Sequence, residues 1–71
     1  MNVSSLKAGM SAVIKGISGR DDLAMQLQEL GFVPGCQVAV VSRSPFNGPM
    51  AVAMRGTKIA LRPNEARRIR I

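Results

Sequence analysis

The sequence predicts a mainly β domain, a small barrel of about five strands with one inserted α-helix. Short segments rich in Val, Ile, Met and Ala are separated by Gly and Pro turn signals, and one stretch spaces its leucines helically. The chain is 71 residues long, and a domain of that size buries only about 60% of the surface that it exposes when unfolded. A closed barrel suits such a chain, because closure removes the open strand edges that invite aggregation.

The segment "MSAVIKGI", residues 10 to 17, alternates Ala12, Ile14 and Gly16 with Val13, Lys15 and Ile17, and its β-branched content predicts a strand. A helix follows in "SGRDDLAMQLQELG", where Leu23, Leu27 and Leu30 fall at i, i+4 and i+7 on one face. Ser18 or Asp21 is expected to cap it, and Asp21 and Asp22 suit the partial positive charge of its first turn. Gly31 ends it, since the residue after a C-cap takes a left-handed conformation that costs glycine little, and Phe32 is then placed to pack on Leu27.

Pro34-Gly35 predicts a type II turn, and "CQVAVVSR" a strand with Cys36, Val38 and Val40 on one face. In "SPFNGPM" the prolines Pro45 and Pro49 interrupt pairing, and Asn47-Gly48 is the expected turn. "MAVAMRGTKIALR" reads as a hairpin closed by Arg55-Gly56 or Gly56-Thr57, with Val52, Met54, Ile59 and Leu61 inward and Lys58 and Arg62 on the other face. "PNEA" fits one helical turn with Pro63 first, and "RRIRI" a closing strand with Ile69 and Ile71 inward and Arg68 and Arg70 outward. In this order the elements describe an SH3-like barrel of residues 1 to 71.

Composition excludes several functions. With no Trp or Tyr and only two Phe, the chain lacks the aromatic platforms on which single-stranded nucleic acids stack. With no His and one Cys it has neither the usual zinc-ligand spacing nor an internal disulfide, which predicts a reducing compartment. A catalytic thiol at Cys36 needs a base that the sequence does not supply, so Cys36 reads as strand filler. Neither "GMSAVIKG" nor "GISGR" has phosphate-loop spacing. No secretory signal and no run approaching about 18 apolar residues is found, which predicts a cytoplasmic location.

The charge of +6 is unevenly placed. In residues 1 to 42, Lys7, Lys15 and Arg20 balance Asp21, Asp22 and Glu29, whereas in residues 43 to 71 seven basic side chains face Glu65 alone. Such a basic half suits an acidic protein surface, nucleic acid or anionic lipid, and charge by itself does not choose among them.

Taken together, "LQELGFVPG", "SPFNGPMAVAMRG" and "IALRPNEARRIRI", in this order and at these spacings, resemble the FeoA family of small bacterial proteins attached to ferrous iron uptake. The resemblance covers essentially the whole chain. It implies an SH3-like barrel in the cytoplasm that acts as an accessory to FeoB, a ferrous iron permease with a GTP-binding domain, and performs no catalysis of its own. Asn47 stands where the family's loop often carries an acidic residue, so no carboxylate role is carried over to that loop. Similar folds end iron-dependent repressors, but this chain has no winged-helix part and reads as a free-standing adaptor.

The candidate contact residues are Met25, Leu30 and Phe32 on and behind the helix, Phe46 in the Pro-bounded loop, and the basic Arg43, Arg55, Lys58 and Arg62. No catalytic residue, cofactor or metal ligand is expected, with ferrous iron handled by the FeoB-like partner and the membrane reached only through it. A weak homo-oligomer is left open. No nucleic acid is expected, and the alternative reading is a basic barrel that binds nucleic acid through phosphate contacts, with an affinity that falls steeply as salt rises.

Overall fold

The computed structural model describes residues 1–71. The strands are β1 (Ser11–Val13), β2 (Gly16–Ile17), β3 (Gln37–Arg43), β4 (Met50–Met54), β5 (Thr57–Leu61) and β6 (Ile69–Arg70), with helices α1 (Asp22–Glu29) and α2 (Pro63–Ala66). All pairings are antiparallel: a four-stranded sheet in the order β1-β3-β4-β5, and a two-stranded sheet of β2 and β6.

The strand expected over residues 10 to 17 is divided into β1 and β2. Successive N–H groups of an extended chain point to opposite sides. Accordingly the Ile14 N–H donates to the Cys36 carbonyl at 2.8 Å, and the Lys15 N–H donates to the Arg70 carbonyl at 2.8 Å. One backbone path thus joins the two sheets and carries the chain around the barrel corner. Ile14 and Gly16 are buried, and Ala12 on the same face is half-buried.

α1 is shorter than the segment predicted for it, and Asp21 rather than Ser18 is its cap, with its carboxylate accepting from the Ala24 N–H at 3.3 Å. The leucine stripe is only partly inward. Leu27 is fully buried and Leu23 half-buried, but Leu30 is 52% exposed, and Ala24 takes the remaining inward place. Leu30 is the C-cap, the last residue with helical backbone before Gly31 reverses the chain. Gly31 has φ 110°, its N–H donates to the Gln28 carbonyl at 3.0 Å, and the Phe32 N–H donates to the Leu27 carbonyl at 3.1 Å. These two bonds are the Schellman pattern, and they deliver Phe32 into the core at 0% exposure.

The Pro34-Gly35 turn closes as expected, with Gly35 at φ 90° and the Cys36 N–H donating to the Val33 carbonyl at 3.1 Å. Cys36, Val38 and Val40 then enter the core from β3, and the register against β4 shifts between Val40 and Ser42, leaving Val41 exposed. A bulge of this kind inserts one residue into one strand and bends it. The β4–β5 hairpin uses Arg55-Gly56, both at positive φ, with Met54 paired to Thr57. Val52, Met54 and Leu61 are buried, and Ile59 is half-buried. α2 begins with Pro63, and Glu65 Oε1 accepts from the Arg62 N–H at 2.7 Å.

One part of the core has no counterpart in the sequence expectations. Val3–Ser5 form a 3₁₀ turn, started by Asn2, whose Oδ1 accepts from the Ser4 N–H at 3.0 Å and from the Ser4 hydroxyl. This turn inserts Val3 and Leu6 into the core, while Asn2 forms an antiparallel bridge with Arg70 of β6. Arg68, expected to face solvent, instead ties β6 to α1. Its guanidinium donates to both carboxylate oxygens of Asp21, at 2.8 and 2.7 Å, and to the Ser18 carbonyl at 3.1 Å.

Two outcomes are expected from this packing. Phe32→Ala removes the largest fully buried side chain and should cost about 3–5 kcal/mol, about the whole stability that a core of this size supplies. Urea unfolding followed by circular dichroism should find no cooperative transition in that variant. The Arg68 guanidinium holds the Asp21 carboxyl well below its ordinary value of 3.8. With a depressed folded pKa, the stabilisation is complete above that ordinary value and is lost as pH falls from there through the folded value. Asp21→Asn keeps a capping side chain but removes the charge. Its stability deficit relative to the parent, measured by thermal melts, should be present at neutral pH and shrink progressively below about pH 4.

Candidate functional site

The candidate contact residues fall at two ends of the barrel. Gly31 lies against Met54, with the Met54 methyl 3.3 Å from where a Cβ would stand on Gly31, so the end of α1 meets the tip of the β4–β5 hairpin. Leu30 and Arg55 therefore share one end, with Lys58 close behind on β5, opposite Ala53. At the other end the register aligns Arg43 with Met50 and Met50 with Leu61, so that Arg43, the β3–β4 loop and Arg62 are neighbours.

Phe32 is fully buried and offers nothing to a partner in this fold; the Schellman closure turns it inward. Met25 is 55% exposed on the outer side of α1. Met25 and Leu30 are five positions apart, about 140° around a helix, so they do not form one stripe.

The β3–β4 loop is the most distinctive feature. Its turn is not Asn47-Gly48 as expected but Phe46-Asn47: both have positive φ, 58° and 60°, and the Gly48 N–H donates to the Pro45 carbonyl at 3.2 Å. The Ser44 N–H donates to the Pro49 carbonyl at 3.1 Å and closes the loop neck. Gly48 follows the turn centre, and a Cβ there would meet the Ser44 Cβ at 2.7 Å; its role is to let the two sides of the loop approach. Phe46 is thereby held in a left-handed conformation with its ring 99% exposed. A bulky residue at positive φ costs about 1–2 kcal/mol, and here no burial of the ring offsets that cost.

Beneath this loop lies a cavity of about 130 Å³, walled by Ser4, Asn47, Gly48 and α2, with Arg43 and Arg67 at its lining. Arg43 is fixed: one of its guanidinium nitrogens donates to the Ser4 carbonyl at 2.9 Å and to the Leu6 carbonyl at 2.7 Å. Sequence reasoning passed over Arg67 because nothing in "EARRIRI" separates it from its basic neighbours. Only α2 and the N-terminal turn bring it beside Arg43.

No three His, Cys, Asp or Glu side chains converge in a way that could hold a metal ion. No helix is long and apolar enough to cross a membrane.

The profile of the FeoA domain matches residues 1–71. No curated protein matches. Among solved structures, FeoA of Stenotrophomonas maltophilia, an SH3-domain protein complexed with zinc, is 37% identical at a TM-score of 0.86, over 97% of this chain and 86% of that one. FeoA of Chlorobium tepidum is 32% identical at a TM-score of 0.84, over 97% of this chain and 66% of that one. A manganese-dependent transcriptional repressor shares only the fold, at 20% identity and a TM-score of 0.86, and this chain spans 39% of its length. The fold is the SH3-like barrel of these relatives, and the chain belongs to the FeoA family.

Proposed function

We propose that this chain is a cytoplasmic docking module of ferrous iron uptake that binds a FeoB-like transporter and biases its nucleotide cycle or transport, without catalysis, cofactor or metal of its own. Family membership supports the link to ferrous iron, and the S. maltophilia relative is itself described in connection with activation of bacterial ferrous iron transport. The observation that carries the docking reading is Phe46, a large ring held out at 99% exposure on a backbone that disfavours it. Backbone strain of this kind persists where the surrounding structure over-determines it, and it clusters at functional positions. Burying such a ring against a partner supplies the central apolar contact that dominates many interfaces.

The flanking charges suit the same role. Arg43 and Arg62 sit at the Phe46 end and give a basic rim around an apolar anchor, which steers approach to an acidic surface more than it sets the final affinity. A regulatory effect on the transporter requires that the chain bind one of its conformations more tightly than another.

The reading is tested by co-purifying the tagged chain with solubilised membranes from its own cells, at low and moderate salt, beside Phe46→Ala. A FeoB-like transporter should be recovered at both salts, and the variant should weaken its binding by about 30-fold, the loss that a central anchor of ~2 kcal/mol gives. Recovery of nucleic acid that disappears as salt rises would instead select the basic-barrel alternative. Phe46→Gly should melt a few degrees higher than the parent, roughly the shift that ~0.5 kcal/mol gives in a domain of this size, while binding as poorly as Phe46→Ala. A stability gain coupled to a binding loss is the signature of strain kept for contact.

A further inference from the structure

We propose that the cavity beneath the β3–β4 loop is a carboxylate-binding site that receives an acidic side chain of the segment docked against Phe46. The inference rests on the docking reading for the source of the ligand, but the site itself stands on the chain's own geometry.

Arg43 and Arg67 both line the cavity, and neither has a carboxylate partner. The four acids of the chain are placed elsewhere. Asp21 is engaged by Arg68, Glu65 accepts from the Arg62 N–H, and Asp22 and Glu29 are on α1, away from the cavity lining. Two guanidinium groups therefore share a recess whose wall also includes buried Met50 and Ala66, and no anion of this chain neutralises them.

The recess is prepared for an oxyanion. The backbone carbonyls of Ser4 and Leu6 hold one Arg43 nitrogen, so the guanidinium is oriented before any ligand arrives and its remaining N–H groups are free to donate. Pre-orientation lowers the entropy lost on binding, and a planar guanidinium fork matches the two oxygens of a carboxylate. A cavity volume of about 130 Å³ exceeds several-fold the ~10–15 Å³ that a cavity needs to hold one water, enough to admit a carboxylate with its terminal methylene.

Position decides the source. Asn47 and Gly48, which line the cavity, directly follow Phe46 in the chain. A peptide segment that covers the Phe46 ring with an apolar residue passes over the cavity mouth within a residue or two, where an Asp or Glu side chain reaches both arginines.

The test titrates the isotope-labelled chain with succinate by NMR, against sodium chloride at matched ionic strength. Succinate should give saturable shifts at the Asn47 and Gly48 amides and at the Arg67 side chain. Arg67→Gln should weaken the affinity about tenfold, while Arg55→Gln, which makes the same change in net charge at the hairpin tip, should leave it unchanged. Arg67 is the variant of choice because Arg43 also secures the N-terminal turn. Shifts reproduced by sodium chloride, or weakened equally by the two variants, would overturn the proposal. Inorganic phosphate saturating the same signals at a tenfold lower concentration would overturn it in favour of a phosphate site. In the co-purification, Arg67→Gln should lower transporter recovery. If Phe46→Ala leaves recovery intact while succinate binding persists, the docking reading fails and the partner's side chain is overturned as the occupant. If succinate does not bind while Phe46→Ala abolishes recovery, the docking reading stands without the site.

Discussion

The barrel depends on how the chain leaves α1. Two hydrogen bonds at Gly31 and Phe32 reverse the backbone and place the larger of the core's side chains at its centre. In a chain of 71 residues with no disulfide, few large side chains are available to fill that centre, and Phe32 is the only buried aromatic one. The reversal also aims the Pro34-Gly35 turn, whose Gly35 N–H donates to the Ile14 carbonyl at 2.9 Å, and so sets the start of β3 beside β1. One local motif thus couples helix termination, core filling and strand alignment.

The two phenylalanines are used in opposite ways. Phe32 is buried and stabilises the fold, whereas Phe46 is exposed on a left-handed backbone and stabilises nothing within the chain. Apolar area removed from water contributes roughly 25 cal/mol per Å², so a ring held in water forgoes that contribution until something covers it. The basic side chains divide in the same way. Arg68 is spent on an ion pair that joins β6 to α1, Arg43 uses one guanidinium nitrogen to tie the N-terminal turn to β3 and keeps the rest of its fork free, and Arg67 and Arg62 remain without acidic side-chain partners.

The exposed Phe46 ring and the unpaired Arg43 and Arg67 meet at one end of the barrel, around the β3–β4 loop. The loop neck is held by the Ser44–Pro49 hydrogen bond and bracketed by two prolines, which lowers the entropy that would be lost if the loop had to become ordered on contact. The Met25 and Leu30 side of α1 lacks a comparable arrangement, because those two side chains diverge around the helix axis. The hairpin tip carries charge at Arg55 without a recess beside it.

By itself the sequence determined what local chemistry decides: a helix begun by a cap at Ser18 or Asp21 and stopped at Gly31, the Pro34-Gly35 turn, a tight hairpin through Gly56, the single turn after Pro63, and the shared faces of β3 and β4. These follow from φ preferences and from two- and 3.6-residue periodicity, which act within a few residues. Tertiary structure decided what depends on residues far apart in the chain. Ile14 and Lys15 bond to different sheets, Leu30 is left outside while Ala24 is taken in, and Val3 and Leu6 complete the core from an N-terminal segment with no periodicity of its own. The ion pair of Asp21 with Arg68 spans 47 positions, and the cavity joins Ser4, Arg43 and Arg67 from three separate parts of the chain. No window on the sequence contains both partners of such contacts, so a basic run in which Arg67, Arg68 and Arg70 look alike acquires distinct roles only when the barrel closes.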